Sequence, residues 1–81
     1  MAHANKVIRS IETPEGGRCV DLFRRPDGGF GFEEYRRDPE DGSGWYPVGF
    51  HAEAVFATEA EALAEARRRV AWLGLVLDEG G

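Results

Sequence analysis

The chain has 81 residues, a formal net charge of −5 and a sequence pI of about 4.9. A chain this short supports one small domain, and a hydrophobic content of 42% with 11% aromatic residues argues against disorder. The acidic balance repels polyanions and so argues against a dedicated nucleic-acid-binding or anionic-membrane-binding protein. We expect a single domain over residues 1–81, with frayed ends at 1–5 and 78–81.

Cysteine usage and the N-terminal sequence bear on the cellular location. Cys19 is the only cysteine, so no internal disulfide can form. The first residues lack the apolar run of a signal peptide or membrane span. We therefore expect a cytoplasmic protein without membrane contact. Nine of the ten basic residues are arginine, a bias that predicts a GC-rich bacterial genome.

Three predicted strands follow one another, with turn signals between them. Residues 6–12 and 18–25 are rich in strand-forming side chains, and the Thr-Pro-Glu-Gly-Gly turn at 13–17 separates them. A Pro-Asp-Gly-Gly turn at 26–29 then leads to a third strand at 30–37. Two consecutive hairpins predict an antiparallel meander of three strands.

A fourth strand is an alternative prediction between Val48 and Phe56, although a glycine and alanines lower the strand propensity of this segment. The strands carry apolar residues at both parities, as with Phe23 and Leu22 in the second strand. Both apolar faces of the sheet must be shielded from water, and one helix can shield only one of them. We expect the second face to be covered by the C-terminal tail, Trp72, the 45–48 segment or another molecule.

The segment from Thr58 to Leu73 has the clearest helical signature. Thr58 and Glu61 have the spacing of a capping box, and Gly74 can adopt the left-handed conformation that ends a helix. Apolar residues recur at helical spacing between these signals. The predicted fold is therefore α+β: a three-stranded antiparallel meander, optionally four-stranded, with one C-terminal helix over Glu59–Leu73 packed on one face.

Residues that can support catalysis or metal binding are few. His3, His51 and Cys19 are the only imidazole or thiol ligands, and none has a zinc-type spacing to another. We weighed Cys19 with His51 as a nucleophile pair, but a lone cysteine on a strand is usually a small core residue. Glu33 and Glu34 should point to opposite faces of their strand. The sequence predicts no enzyme, cofactor or metal site.

Aromatic and apolar residues outside the predicted core suggest a partner surface. Rigid rings beside Pro47 can form a stacking platform, and the last apolar residues are unusual for a free tail. Packing against the domain's own core is the alternative for each. The candidates are Trp45, Tyr46, Trp72, Leu75 and Leu77. They predict a non-catalytic interaction module that binds an unknown protein or a second copy of itself.

The segment Ala54–Ala62, which follows three strands, resembles the strand-to-helix junction of the Apetala-type (ethylene-response-factor) DNA-binding domain. In that family an aromatic residue, a capping threonine and Glu-Ala pairs open the helix. The resemblance implies a DNA-reading sheet with exposed arginines. The matching candidates, expected near one end of the second hairpin, are Arg24, Arg25, Arg36 and Arg37. Acidic residues lie among them, so nucleic-acid binding is the alternative function.

The chain is also similar in outline to small bacterial domains that join a sheet to a C-terminal helix. That likeness implies no function.

Overall fold

The computed structural model describes residues 5–38, 40, 42, 44–49, 51 and 53–79. This part of the chain forms a four-stranded antiparallel sheet followed by two helices, which confirms the predicted α+β class. The elements are β1 (Lys6–Glu12), β2 (Arg18–Arg24), β3 (Phe30–Arg36), β4 (Tyr46–Val48), α1 (Glu59–Arg69) and α2 (Ala71–Glu79). Neither helix is long and apolar enough to cross a membrane.

The strands pair in chain order, β1-β2-β3-β4, so the predicted meander is confirmed. Gly16 and Gly28 have φ values of +77° and +95°, which allow the two tight turns. A bulge at Ile8 interrupts the β1–β2 pairing between the neighbouring pairs of Val7 and Arg9. The bulge adds a residue to β1 and increases its local twist.

The edge of β3 that faces away from β2 is paired in two places. β4 pairs with the last residues of β3, and Phe56 forms an isolated bridge with Phe30 at its start. Gly49, with a φ of +82°, turns the chain off this edge after β4. The expected strand between Val48 and Phe56 is therefore misplaced, because the pairing occurs on either side of that turn.

One face of the sheet carries the hydrophobic core. The core cluster consists of Ile11, Val20, Leu22, Phe32, Ala62, Ala66, Val70 and Leu73. The small alanines let α1 lie close to β2 and β3, while the fully buried Phe32 and Leu22 fill the remaining volume. α2 packs on the neighbouring strand, β1. Both helices therefore cover the same face of the sheet.

The start of the helical segment is as predicted. The Thr58 Oγ1 accepts a hydrogen bond from the backbone N–H of Glu61 at 3.1 Å, which satisfies one free donor of the first turn. In the last turn, basic residues complement the helix dipole. Glu65 accepts hydrogen bonds from both Arg68 and Arg69, which lie three and four residues later on the same helix face.

The end of the predicted helix is wrong. α1 ends at Arg69, and Val70 has extended backbone with φ −104° and ψ 100°. Gly74, the predicted stop, lies inside α2. Val70 is β-branched and tolerates extended backbone, and its N–H still donates to the carbonyl of Ala66 at 2.8 Å. The break therefore leaves the last amide of α1 satisfied while changing the direction of the chain.

The break also changes which side chains reach the core. In one straight helix Trp72 would point away from Leu63, but in α2 it packs against the core cluster together with Val76 and Leu77. The segment expected to be an apolar tail is thus a second helix, because burying these side chains stabilises it.

Of the segment 78–81, which we expected to be frayed, Asp78 lies in the last turn of α2. Arg67 binds its carboxylate at 3.2 Å and so links α1 to α2. Residues 1–4, 80 and 81 lie outside the described residues.

Two leucines of α2 provide a test of this packing. Leu73 is fully buried in the core, whereas Leu75 is 66% exposed. We expect Leu73→Ala to lower the free energy of unfolding by about 2–5 kcal/mol, because it removes buried methyl groups and leaves a cavity. Leu75→Ala should change it by less than about 0.5 kcal/mol. Urea unfolding followed by circular dichroism measures both values, and equal costs would contradict the burial of Leu73 and the exposure of Leu75.

Candidate functional site

The second face of the sheet, here called the open face, is the one turned away from both helices. In the β2–β3 register Cys19 lies opposite Tyr35, and Asp21 lies opposite Glu33. Along β2 and β3 these residues alternate with core residues such as Val20. Their side chains therefore lie on the sheet face opposite the core. The open face therefore carries the side chains of β2 and β3 that neither helix covers.

One end of the open face is filled by the chain's own side chains. Phe23 lies over Gly31, where an added Cβ would come within 2.8 Å of its ring. The guanidinium of Arg25 lies 5.1 Å from the Phe23 ring centroid and donates a hydrogen bond to the carbonyl of Ala54 at 2.8 Å. This end is closed, which leaves the other end as the accessible part.

The other end of the open face forms a groove of about 240 Å³, here called the open-face groove. Its lining comes from β1, β2, β3 and the loop before β4. The lining residues are Ser10, Glu12, Cys19, Asp21, Tyr35 and Trp45. Aromatic rings and carboxylates thus meet on one concave surface, although they are distant in the sequence.

Asp21 lies at the centre of the groove's hydrogen bonding. Its Oδ1 accepts a hydrogen bond from the Ser10 hydroxyl at 2.6 Å and one from the Cys19 thiol at 3.3 Å. Both donors are neutral. Within the described part of the chain, neither Asp21 nor Glu12 forms an ion pair with a basic side chain. The groove therefore keeps the negative charge of both carboxylates.

This charge acts on the acidic groups beside it. Burial, the hydrogen bond to Asp21 and the negative charges of Asp21 and Glu12 together raise the pKa of the Cys19 thiol from 9.0 to about 12. Burial and the charges of Glu33 and Asp21 raise the pKa of Tyr35 as well. Burial is the largest cause of both shifts, and the neighbouring carboxylates add to it.

Trp45 forms the rim of the groove. Its ring is 39% exposed, and the guanidinium carbon of Arg37 lies 4.6 Å from the ring centroid. Arg37 is held in place by a hydrogen bond from its Nε to the carbonyl of Gly16 at 2.8 Å. The ring is thus fixed beside the groove, with a cation already stacked on it.

The other predicted partner residues do not share this surface. Trp72 and Leu77 pack against the core on the helix side, and Leu75 is exposed on α2. Tyr46 pairs with Arg36 in the β3–β4 ladder, so it belongs to the helix-packed side of the edge strand. The structure therefore separates Trp45 from the remaining candidates, because the helix break turns Trp72 and Leu77 inward.

The predicted nucleic-acid contacts are also separated. Arg24 lies opposite Phe30, beside the turn between β2 and β3, whereas Arg36 lies opposite Arg18 at the far end of the same ladder. The expected grouping at one end of the hairpin is wrong, because antiparallel strands end at opposite ends of a sheet. Arg25 and Arg37 also differ, since each packs on a different aromatic ring.

A buried polar cluster on the helix side was not predicted. The indole N–H of Trp72 donates to Glu34 Oε2 at 3.2 Å, and His51 Nε2 lies 3.5 Å from Glu34 Oε1. The His51 ring stacks on Phe32 with 4.9 Å between centroids. In the described part of the molecule, the buried His51 Nδ1 has no hydrogen-bond partner. Strand alternation places Glu34 on this face, but only the three-dimensional structure shows that its carboxylate contacts Trp72 and His51.

The possible thiol nucleophile pair is not assembled. Cys19 lies on the open face, whereas His51 stacks on the core residue Phe32 on the opposite side of the sheet. The carboxylates of Glu33 and Glu34 likewise have separate partners. Glu33 accepts a hydrogen bond from the His51 backbone N–H, and Glu34 accepts one from Trp72.

The chain matches no protein-family model, no curated protein and no solved structure. The resemblance to the Apetala-type domain therefore stays a prediction.

The two tryptophans allow a matched test of the polar cluster. Trp72→Phe removes the indole donor from the part-buried carboxylate of Glu34, so we expect it to cost about 1–3 kcal/mol of unfolding free energy. Trp45→Phe makes the same chemical change at the exposed rim and should cost less than about 0.5 kcal/mol. Urea unfolding followed by circular dichroism gives both values. A smaller loss for Trp72→Phe would refute the proposed hydrogen bond.

The reactivity of Cys19 tests the negative potential of the groove. Only the thiolate reacts with iodoacetamide, and the thiol of the folded chain stays protonated until the pH approaches about 12, rather than 9.0. We expect alkylation at about pH 8 to be at least about 100-fold slower in the folded chain than in urea. Asp21→Asn removes one of the charges that raise the pKa and should accelerate the reaction of the folded chain. Fast alkylation of the unmodified folded chain would contradict this electrostatic picture.

Proposed function

We propose that this protein is a small non-catalytic protein-interaction module whose partner binds in the open-face groove. The observation that carries the proposal is the arrangement of the two sheet faces. Both helices pack on one face, and the other face presents a concave surface lined by Tyr35 and Trp45. Half-exposed aromatic rings beside polar groups are typical of surfaces that bind other proteins.

The charge of the groove favours a different protein over a second copy of this chain. A symmetric dimer through the open face would place the Glu12 and Asp21 carboxylates of two copies near each other, and such like charges repel. Self-association through Trp72 and Leu77 loses its support, because both pack against the core of their own chain. The partner is therefore a protein of different surface chemistry.

The non-catalytic assignment is supported by the chemistry of Cys19. A nucleophilic cysteine needs a lowered pKa or an adjacent base, and here the surroundings raise the pKa to about 12. His51 lies on the other side of the sheet and cannot act as that base. The thiol is better explained as a small packing group between Asp21 and Tyr35.

Nucleic-acid binding is less well supported than protein binding. The four candidate arginines lie at two ends of the β2–β3 ladder, and two of them are engaged with aromatic rings. Carboxylates line the groove at the Arg36 end of the ladder. A phosphate backbone following the open face would therefore meet negative charge in the groove.

Site-specific photocrosslinking tests the proposal. We would replace Trp45 with p-benzoylphenylalanine, express the full chain in cells of the source organism and irradiate them. The control replaces Leu75, which is exposed on α2 on the other side of the sheet. We expect discrete protein adducts from position 45 that are absent from position 75 and unchanged by nuclease treatment.

Two outcomes would overturn the proposal. Identical adducts from both positions would show non-specific contact. Adducts that disappear after nuclease treatment would support nucleic-acid binding instead.

A further inference from the structure

The carboxylates of the open-face groove lack a cation of their own. Asp21 is half-buried, and the hydrogen bonds that it accepts come from the neutral groups of Ser10 and Cys19. Glu12 is exposed at the same groove, and neither carboxylate has an ion pair among the described residues. A carboxylate in this state forms stronger hydrogen bonds with a charged donor than with neutral ones.

The aromatic walls favour the same kind of ligand. Trp45 already holds the guanidinium of Arg37 at 4.6 Å from its ring centroid, so its environment is compatible with a stacked cation. Tyr35 lies opposite Cys19 and contributes a second half-buried ring. Rings next to carboxylates are the combination that proteins use to recognise ammonium and guanidinium groups.

The size of the groove limits how much of a partner can enter. Its volume of about 240 Å³ is below the range of roughly 300–1,000 Å³ that holds drug-sized ligands. A single long side chain fits this volume, whereas a folded element does not. The groove opens to solvent at the surface of the sheet, so such a side chain can enter from a segment lying across it.

We infer that the open-face groove receives a lysine or arginine side chain from an exposed segment of the partner protein. The inference rests on the proposed function and names the chemistry that the partner must present. Asp21 and Glu12 bind the charged group, and the rings of Tyr35 and Trp45 contact the aliphatic stem and the cation. Arg37 remains at the rim, where Trp45 and the Gly16 carbonyl hold it.

The test is a titration of the ¹⁵N-labelled full chain with blocked pentapeptides, followed by amide chemical shifts. The probes have glycines around a central arginine, lysine, citrulline or glutamate. Citrulline has nearly the shape of arginine without its charge. We expect saturable shifts at Asp21, Tyr35 and Trp45 with the arginine and lysine peptides. The citrulline peptide should bind at least about fivefold more weakly, and the glutamate peptide should give no saturation.

Matched variants separate a local site from the overall negative charge. Asp21→Asn and Glu12→Gln each remove one charge from the groove, and Glu61→Gln removes one from the exposed start of α1. We expect each groove variant to weaken arginine-peptide binding by about two- to fivefold and Glu61→Gln to leave it unchanged. Glu12→Gln lies on the exposed edge strand, so it remains informative if Asp21→Asn fails to fold.

Three results would overturn the inference. They are equal binding of the citrulline peptide, equal effects of Glu61→Gln and the groove variants, and shifts confined to residues outside the groove. Specific crosslinks from position 45 without peptide binding would refute the cationic chemistry while leaving the proposed function in place. Specific peptide binding without protein crosslinks would support the cationic chemistry and refute the proposed function.

Discussion

The extended backbone of Val70 determines how the two faces of the sheet are used. A continuous helix would have pointed Trp72 away from the core and left the C-terminal segment free to wrap around the sheet. The break instead places α2 beside α1, where Trp72, Val76 and Leu77 extend the same core. Most of the apolar C-terminal segment is then used on one side, and Leu75 remains exposed. The other face can be covered only by side chains of the strands themselves, and this constraint determines the shape of the groove.

The strands finish that face in two different ways. At one end a glycine lets Phe23 lie flat across the neighbouring strand, and Arg25 packs near it, which leaves little room for a ligand. At the other end the side chains are polar, and Asp21 organises a hydroxyl and a thiol around one oxygen. A carboxylate whose hydrogen bonds come from neutral donors is stable without a counterion, yet its negative charge still acts on neighbouring groups. Together with burial, the same carboxylate therefore keeps the neighbouring thiol protonated, and it supplies the charge on which the proposed binding of a cation depends.

Interactions between residues close in the sequence were predictable, whereas those between distant residues were not. Two turns and the Thr58 cap depend on a few consecutive residues, so composition and spacing revealed them. The break at Val70 depends on what Trp72 and Leu77 gain by packing on strands far away in the chain. The separation of Arg24 from Arg36 follows from strand direction alone and was available to sequence reasoning. Alternation within the β2–β3 register puts Asp21 and Tyr35 on one face, but only the helix positions show that this face is open.

The two edges of the sheet are poorly suited to pairing with another backbone. β1 has a bulge at Ile8 and carries Lys6 and Arg9, and β4 is only three residues long with Pro47 at its centre. Charges, bulges and proline interrupt the straight row of backbone donors and acceptors that an added strand requires. The described sheet is thus poorly suited to extension by a foreign strand or by cross-β aggregation. The concave surface of the described sheet therefore lies on its broad side rather than along either edge.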